Sequence, residues 1–117
     1  MNFLKKILFV LVVISCSRVA QAGSSWWVCA QPGRIERLNI YAISSILSSS
    51  LDENTLKRIF EKAVRENTKD KFVSSFDASC REFSDDLSAR SYWNNMIESA
   101  KKKNFAILSI TFEDMTE

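Results

Sequence analysis

Hydrophobic and polar positions along this chain change period several times, and each change marks an element. Leu56, Ile59, Phe60, Ala63 and Val64 recur at i, i+3, i+4, i+7 and i+8. That spacing predicts one helix over 52–67 with a continuous apolar stripe. Ser50-x-x-Glu53 fits a capping box, with Asp52 as the alternative cap. Ala89, Trp93, Met96, Ile97 and Ala100 make a second stripe over 84–103, flanked by Leu87 and Tyr92. Ser84 is placed to cap it, and Asp85 and Asp86 suit the positive end of its dipole. Lys101, Lys102 and Lys103 face the negative end, and Asn104 fits the left-handed position after the last turn.

Elsewhere the period falls to two. Residues 26–31 are rich in β-formers and run into Pro32-Gly33, which reads as a turn. A second strand is expected over 35–43, and the serine-rich 44–50 reads as a strand end or loop anchored by Ile46 and Leu47. Over 71–83, Phe72, Phe76, Ala78 and Cys80 share one parity against mostly polar residues on the other, which predicts a half-buried strand. Residues 105–112 (FAILSITF) are the clearest strand, followed by an acidic tail, 113–117. The order β-β-α-β-α-β leads to an α+β fold. The expected architecture is a two-layer sandwich, a mostly antiparallel four-stranded sheet with two helices on one face.

The first 22 residues stand apart. Lys5 and Lys6 precede an apolar run over 7–14, and Ala20-Gln21-Ala22 gives the small-x-small pattern of a signal-peptidase site. The run is far short of the ~20 residues a spanning helix needs. The expected organisation is a removed signal peptide over 1–22 and a single small domain over 23–117, periplasmic or secreted. A competing reading exists: Val13-Ile14-Ser15-Cys16 resembles the bacterial lipobox, which implies lipidation of Cys16 and a membrane-anchored lipoprotein. Val at its first position departs from the usual Leu.

Removing the leader changes the charge. The whole chain has 16 Lys+Arg and 14 Asp+Glu, net +2. The leader holds three of those cations (Lys5, Lys6 and Arg18) and no acid, so the 95 remaining residues carry 13 cations against 14 acids, net −1. The basic balance belongs to the leader and argues for no nucleic-acid partner. Two cysteines remain, Cys29 and Cys80, and in an exported chain an even pair reads as a disulfide.

The chain has no histidine. That removes the usual general base, the Ser-His-Asp and Cys-His nucleophile systems and the commonest transition-metal ligand. Two distant cysteines make no zinc or redox motif. With two glycines, Gly23 and Gly33, neither a phosphate loop nor a dinucleotide fingerprint can be built. Asp85 and Asp86 diverge at a helix start, and Asp77 and Glu82 sit beside Arg81, where an ion pair accounts for them. No catalytic residue, metal site or cofactor is expected.

Recognition is the function left standing. In size, leader and cysteine pair the chain is similar to small exported bacterial domains such as envelope inhibitors and immunity proteins. The expectation is a non-enzymatic binding module, an inhibitor, immunity or adaptor protein for an envelope protein partner. Adjacent strand residues point to opposite faces, so one of Trp26 and Trp27 is expected outside the core. Trp26, Trp27 and Tyr41 are the candidate binding residues. The alternative is a small-molecule or cell-wall glycan binder with an aromatic platform.

Overall fold

A computed structural model describes residues 25–111 and Met115. Residues 1–24, with Cys16 and the site after Ala22, lie outside those residues, as do five residues of the C-terminal stretch, 112–114 and 116–117. The elements are β1 (Ser25–Ile35), β2 (Leu38–Ser44), β3 (Leu47–Ser49), α1 (Glu53–Asn67), β4 (Ser79–Phe83), α2 (Asp86–Lys102) and β5 (Ala106–Ile110).

The fold is α+β, with a curled, mixed, five-stranded sheet that forms a half-barrel. This corrects the flat four-stranded sandwich expected above. β1 pairs antiparallel with β2 and β3 along one edge and with β4 along the other, while β5 joins β2 in parallel. The extra strand comes from a bulge. β1–β2 pairing ends at Ala30↔Ile43 and β1–β3 pairing resumes at Trp27↔Leu47. Between those pairs Val28 and Cys29 of β1 face Ser44, Ser45 and Ile46, two residues against three, so β2 and β3 are one strand interrupted at Ser44 to Ile46. The insertion leaves the Cys29 N–H without a ladder partner, and the Ser44 hydroxyl accepts from it at 2.9 Å. On the other face the Trp93 indole N–H donates to the Ser44 carbonyl at 3.0 Å.

The helices lie on opposite faces, not on one. α1 contributes Leu56, Ile59, Phe60, Ala63 and Val64 to a core with Trp27, Cys29, Ala42 and Cys80. α2 contributes Ala89 and Ala100 to a second core with Val28, Ala30, Tyr41 and Ile43, which have the other strand parity. Chain topology explains this. β2, β4 and β5 run the same way. The first crossover steps from β2 over β1 to β4, and the second returns from β4 over β1 and β2 to β5. Crossovers of one hand that move in opposite directions put their helices on opposite faces. The central strands are therefore covered on both sides, and Trp27 through Gln31 and Ile40 through Ser44 are buried without alternation.

Three local expectations also change. Pro32-Gly33 is no turn: β1 runs through it to Ile35, and the reversal is at Glu36-Arg37, where Glu36 takes a left-handed φ of 57°. The Pro32 nitrogen faces the β4 edge in the gap between Ala30↔Ser79 and the Arg34–Val73 bridge, where no ladder donor is needed. Residues 71–78 form a loop rather than a strand, and β4 begins only at Ser79. At the helix ends, Asp52 caps α1 and Asp85 caps α2, accepting from the Thr55 and Ser88 N–H groups at 2.8 and 2.7 Å. Asn104 holds φ 65° just beyond α2, as its side chain suits. The Cys29–Cys80 disulfide is present across the paired strands β1 and β4, with Cα atoms 3.9 Å apart.

Candidate functional site: the turn end of the hairpin

A strand advances about 3.3 Å per residue and a helix 1.5 Å. The 11 residues of β1 therefore span roughly 36 Å, and the 17 residues of α2 roughly 25 Å. The β1–β2 hairpin outreaches the helix that covers it. Its far end, on the α2 side, carries Pro32 and Arg34 opposite Tyr41 and Asn39. Two adjoining hollows lie there, one on each side of Pro32 and Phe105. The larger, about 380 Å³, is bounded by Arg34, Asn39, Val73, Ser74, Ser75 and Phe76. The smaller, about 180 Å³, runs under the end of α2 between Tyr41, Met96, Ser99 and Lys103.

The outer wall is the 71–78 loop, which is fixed closely to the sheet. Arg34 and Val73 exchange backbone hydrogen bonds at 2.8 and 2.9 Å. The Ser74 hydroxyl donates to the Pro32 carbonyl at 2.6 Å, satisfying the stretch of β1 that β4 leaves uncovered. The same hydroxyl accepts from the Phe76 N–H at 3.1 Å, the short loop-closing turn that serine favours. The Gln31 amide donates to the Phe76 carbonyl at 2.6 Å, and Glu61 of α1 accepts from the Ala78 N–H at 3.1 Å. Phe72 lies over Gly33 so closely that a Cβ there would be 2.4 Å from the ring and 2.6 Å from the Val73 carbonyl. Gly33 is required by this approach.

A loop held this firmly still leaves apolar side chains in water. Val73 is 65% and Phe76 67% exposed, and Leu38 at the hairpin tip is 55% exposed. A strand reading of 71–83 turned Phe76 inward. The loop's serine turn breaks that parity and sends it out. This is the exposed feature that sequence patterning missed, and Ser74 two residues before Phe76 was its only local signal.

The three sequence candidates separate. Trp27 is buried against α1, its indole N–H donating to the Ser49 carbonyl at 3.2 Å. Trp26 is half-buried against the α2 core. Tyr41 lines the smaller hollow, edge-on to Phe105 with ring centroids 6.2 Å apart. Burial first, and the nearby Tyr92 second, push its phenol pKa up to about 12, so it stays a neutral hydroxyl at physiological pH. Arg34 and Lys103 are the charged residues lining the two hollows, and neither lining includes a carboxylate.

The other chemistry predicted from sequence is arranged differently. Arg81 lies over the rings of Phe83 and Tyr92, 5.7 and 5.1 Å from their centroids. Arg90 pairs with Asp86 at 3.2 Å. Among the described residues, no group of three or more His, Cys, Asp or Glu is placed to hold a metal ion. Among them, too, no helix is long and apolar enough to cross a membrane. Comparison with known proteins found no family model, no curated protein and no solved structure that matches this chain.

Proposed function

We propose that this chain is an exported, non-enzymatic binding module that docks a protein partner in the bacterial envelope, acting as an inhibitor, immunity or adaptor protein. The docking surface is the hairpin-end groove. One observation carries the reading: Val73 and Phe76 are held out in solvent by a loop that hydrogen bonds tie to β1 and α1. Exposing apolar side chains on a fixed loop lowers the entropy lost on binding, which is how a recognition surface gains affinity. The groove's make-up fits the same role. It offers aromatic and aliphatic walls, two cations and hydroxyl groups, with no histidine in the chain to act as a base. The test is site-specific photo-crosslinking in the native envelope from position 75, at the groove's rim. A discrete adduct that disappears in Phe76→Ser supports the assignment, and an adduct indifferent to that substitution refutes it.

The glycan alternative has one observation in its favour. A hollow of about 270 Å³ at the bulge is lined by Trp93, Ile46, Arg90, Asn94 and Ser45, an indole beside polar groups. Titration with soluble cell-wall fragments tests it, with Asn94→Ala as the control. Heat released by wild type and not by that variant would move the function there.

A further inference from the structure

We infer that the segment seated in the hairpin-end groove is an extended stretch of polypeptide bearing a bulky apolar side chain and a carboxylate. This deepens, and rests on, the reading of that groove as a protein-docking surface. The larger hollow has an apolar lip, Val73 and Phe76, both about two-thirds exposed. Hollows of about 380 and 180 Å³ take one or two side chains each, not a folded element. They adjoin around Pro32 and Phe105, so one extended chain reaches both. The electrostatics choose the second group. Arg34 borders one hollow and Lys103 the other, and no acid lines either. Arg34 makes no ion pair among the described residues, since the ion pair they contain is Arg90–Asp86. Two cations flanking the trough favour an anionic side chain or chain terminus and oppose a basic one. The same count excludes a polyanion as occupant, because two cations neutralise too few phosphates, and residues 23–117 carry 13 cations against 14 acids.

The experiment is selection of short random peptides displayed on phage against the oxidised protein, followed by fluorescence titration of the winners as synthetic peptides. Each acidic winner is compared with its Asn/Gln counterpart, a comparison that needs no protein variant. The expected result is enrichment of peptides pairing an aromatic or large aliphatic residue with Asp, Glu or a free C-terminus. Neutralising the acid should weaken binding at least about tenfold, as losing a charge-assisted hydrogen bond does. The reversal Arg34→Glu with Lys103→Glu, both on exposed side chains, should shift selection toward Lys- and Arg-bearing peptides. Winners that need Phe76 but show no acid preference overturn this inference and leave the docking surface standing. Absence of any Phe76-dependent winner overturns both. Self-association of the protein abolished by Phe76→Ser, with no peptide bound, overturns the inference and gives the groove to a second copy of the chain.

Discussion

Replacing Gly33 by alanine probes how the 71–78 loop is attached. The φ of Gly33 lies outside the left-handed region, so the cost is crowding and not backbone strain. The new Cβ would meet Phe72 Cζ at 2.4 Å, the Val73 carbonyl oxygen at 2.6 Å and Phe72 Cε1 at 2.7 Å. Ordinary contact begins near 3.4 Å, so the ring and the carbonyl must each retreat by nearly 1 Å. The ring is packed against the α1 core, and the carbonyl is fixed by the 2.8 Å bond from the Arg34 N–H. Overpacking of this kind costs about 1–3 kcal/mol. Freeing the loop forfeits the Arg34–Val73 pair at about 1 kcal/mol per hydrogen bond. With overpacking at its low end the sum is about 3 kcal/mol, a large share of the ~5–14 kcal/mol typical of a single domain of this size. Urea unfolding of the oxidised protein, followed by tryptophan fluorescence, should show the midpoint falling by about 2 M at a slope near 1.5 kcal/mol/M. Adding Phe72→Ala relieves the ring and leaves the carbonyl, so the double variant should lose less than the two single losses combined. A Gly33→Ala midpoint within about 0.3 M of wild type refutes the claim that the loop is clamped on this glycine.

Four further outcomes follow from the same structure. Cys80→Ser opens a loop of sequence separation 51 and should cost roughly 4 kcal/mol in the same urea assay, provided the reference is oxidised wild type. Ser44→Ala strips the buried Cys29 N–H of its acceptor and should cost about 1–3 kcal/mol, with faster hydrogen exchange at the Cys29 amide as the specific readout. With Tyr92→Phe leaving Tyr41 as the sole tyrosine, absorbance titration should still give a midpoint well above 10, because burial, the larger of the two causes, remains. Because the folded pKa is raised, Tyr41 lowers stability as pH climbs from about 10 to about 12 and has no pH effect below that window. Asp52 and Asp85 have pKa values held below the ordinary carboxylate value by the Thr55 and Ser88 hydrogen bonds they accept. Their contribution is present above pH ~4 and is lost as pH falls through the lowered folded value, so the gap in Tm between wild type and Asp85→Ala should close in acid.

Some of this protein was written in the chain. The spacing of Leu56, Ile59, Phe60, Ala63 and Val64 determined α1 and its buried face, because an amphipathic stripe buries one side of a helix whatever it packs against. The order of elements, apart from the short β3, and the left-handed Asn104 were legible for the same reason: each depends on residues close in sequence. The pairing of Cys29 with Cys80 followed from there being two cysteines left to pair. Tertiary structure decided the rest. Helices on opposite faces follow from two crossovers that step in opposite directions, a relation between strands more than 20 residues apart that periodicity does not carry. Cover on both faces is why Trp26 and Trp27 both pack against core, although their opposite orientations suggested that one would be outside. The groove is more remote still. It exists because the hairpin outruns α2 and because a loop anchored on Gly33 turns Phe76 outward, so the residues that form it come from five separate parts of the chain and meet only in the folded state.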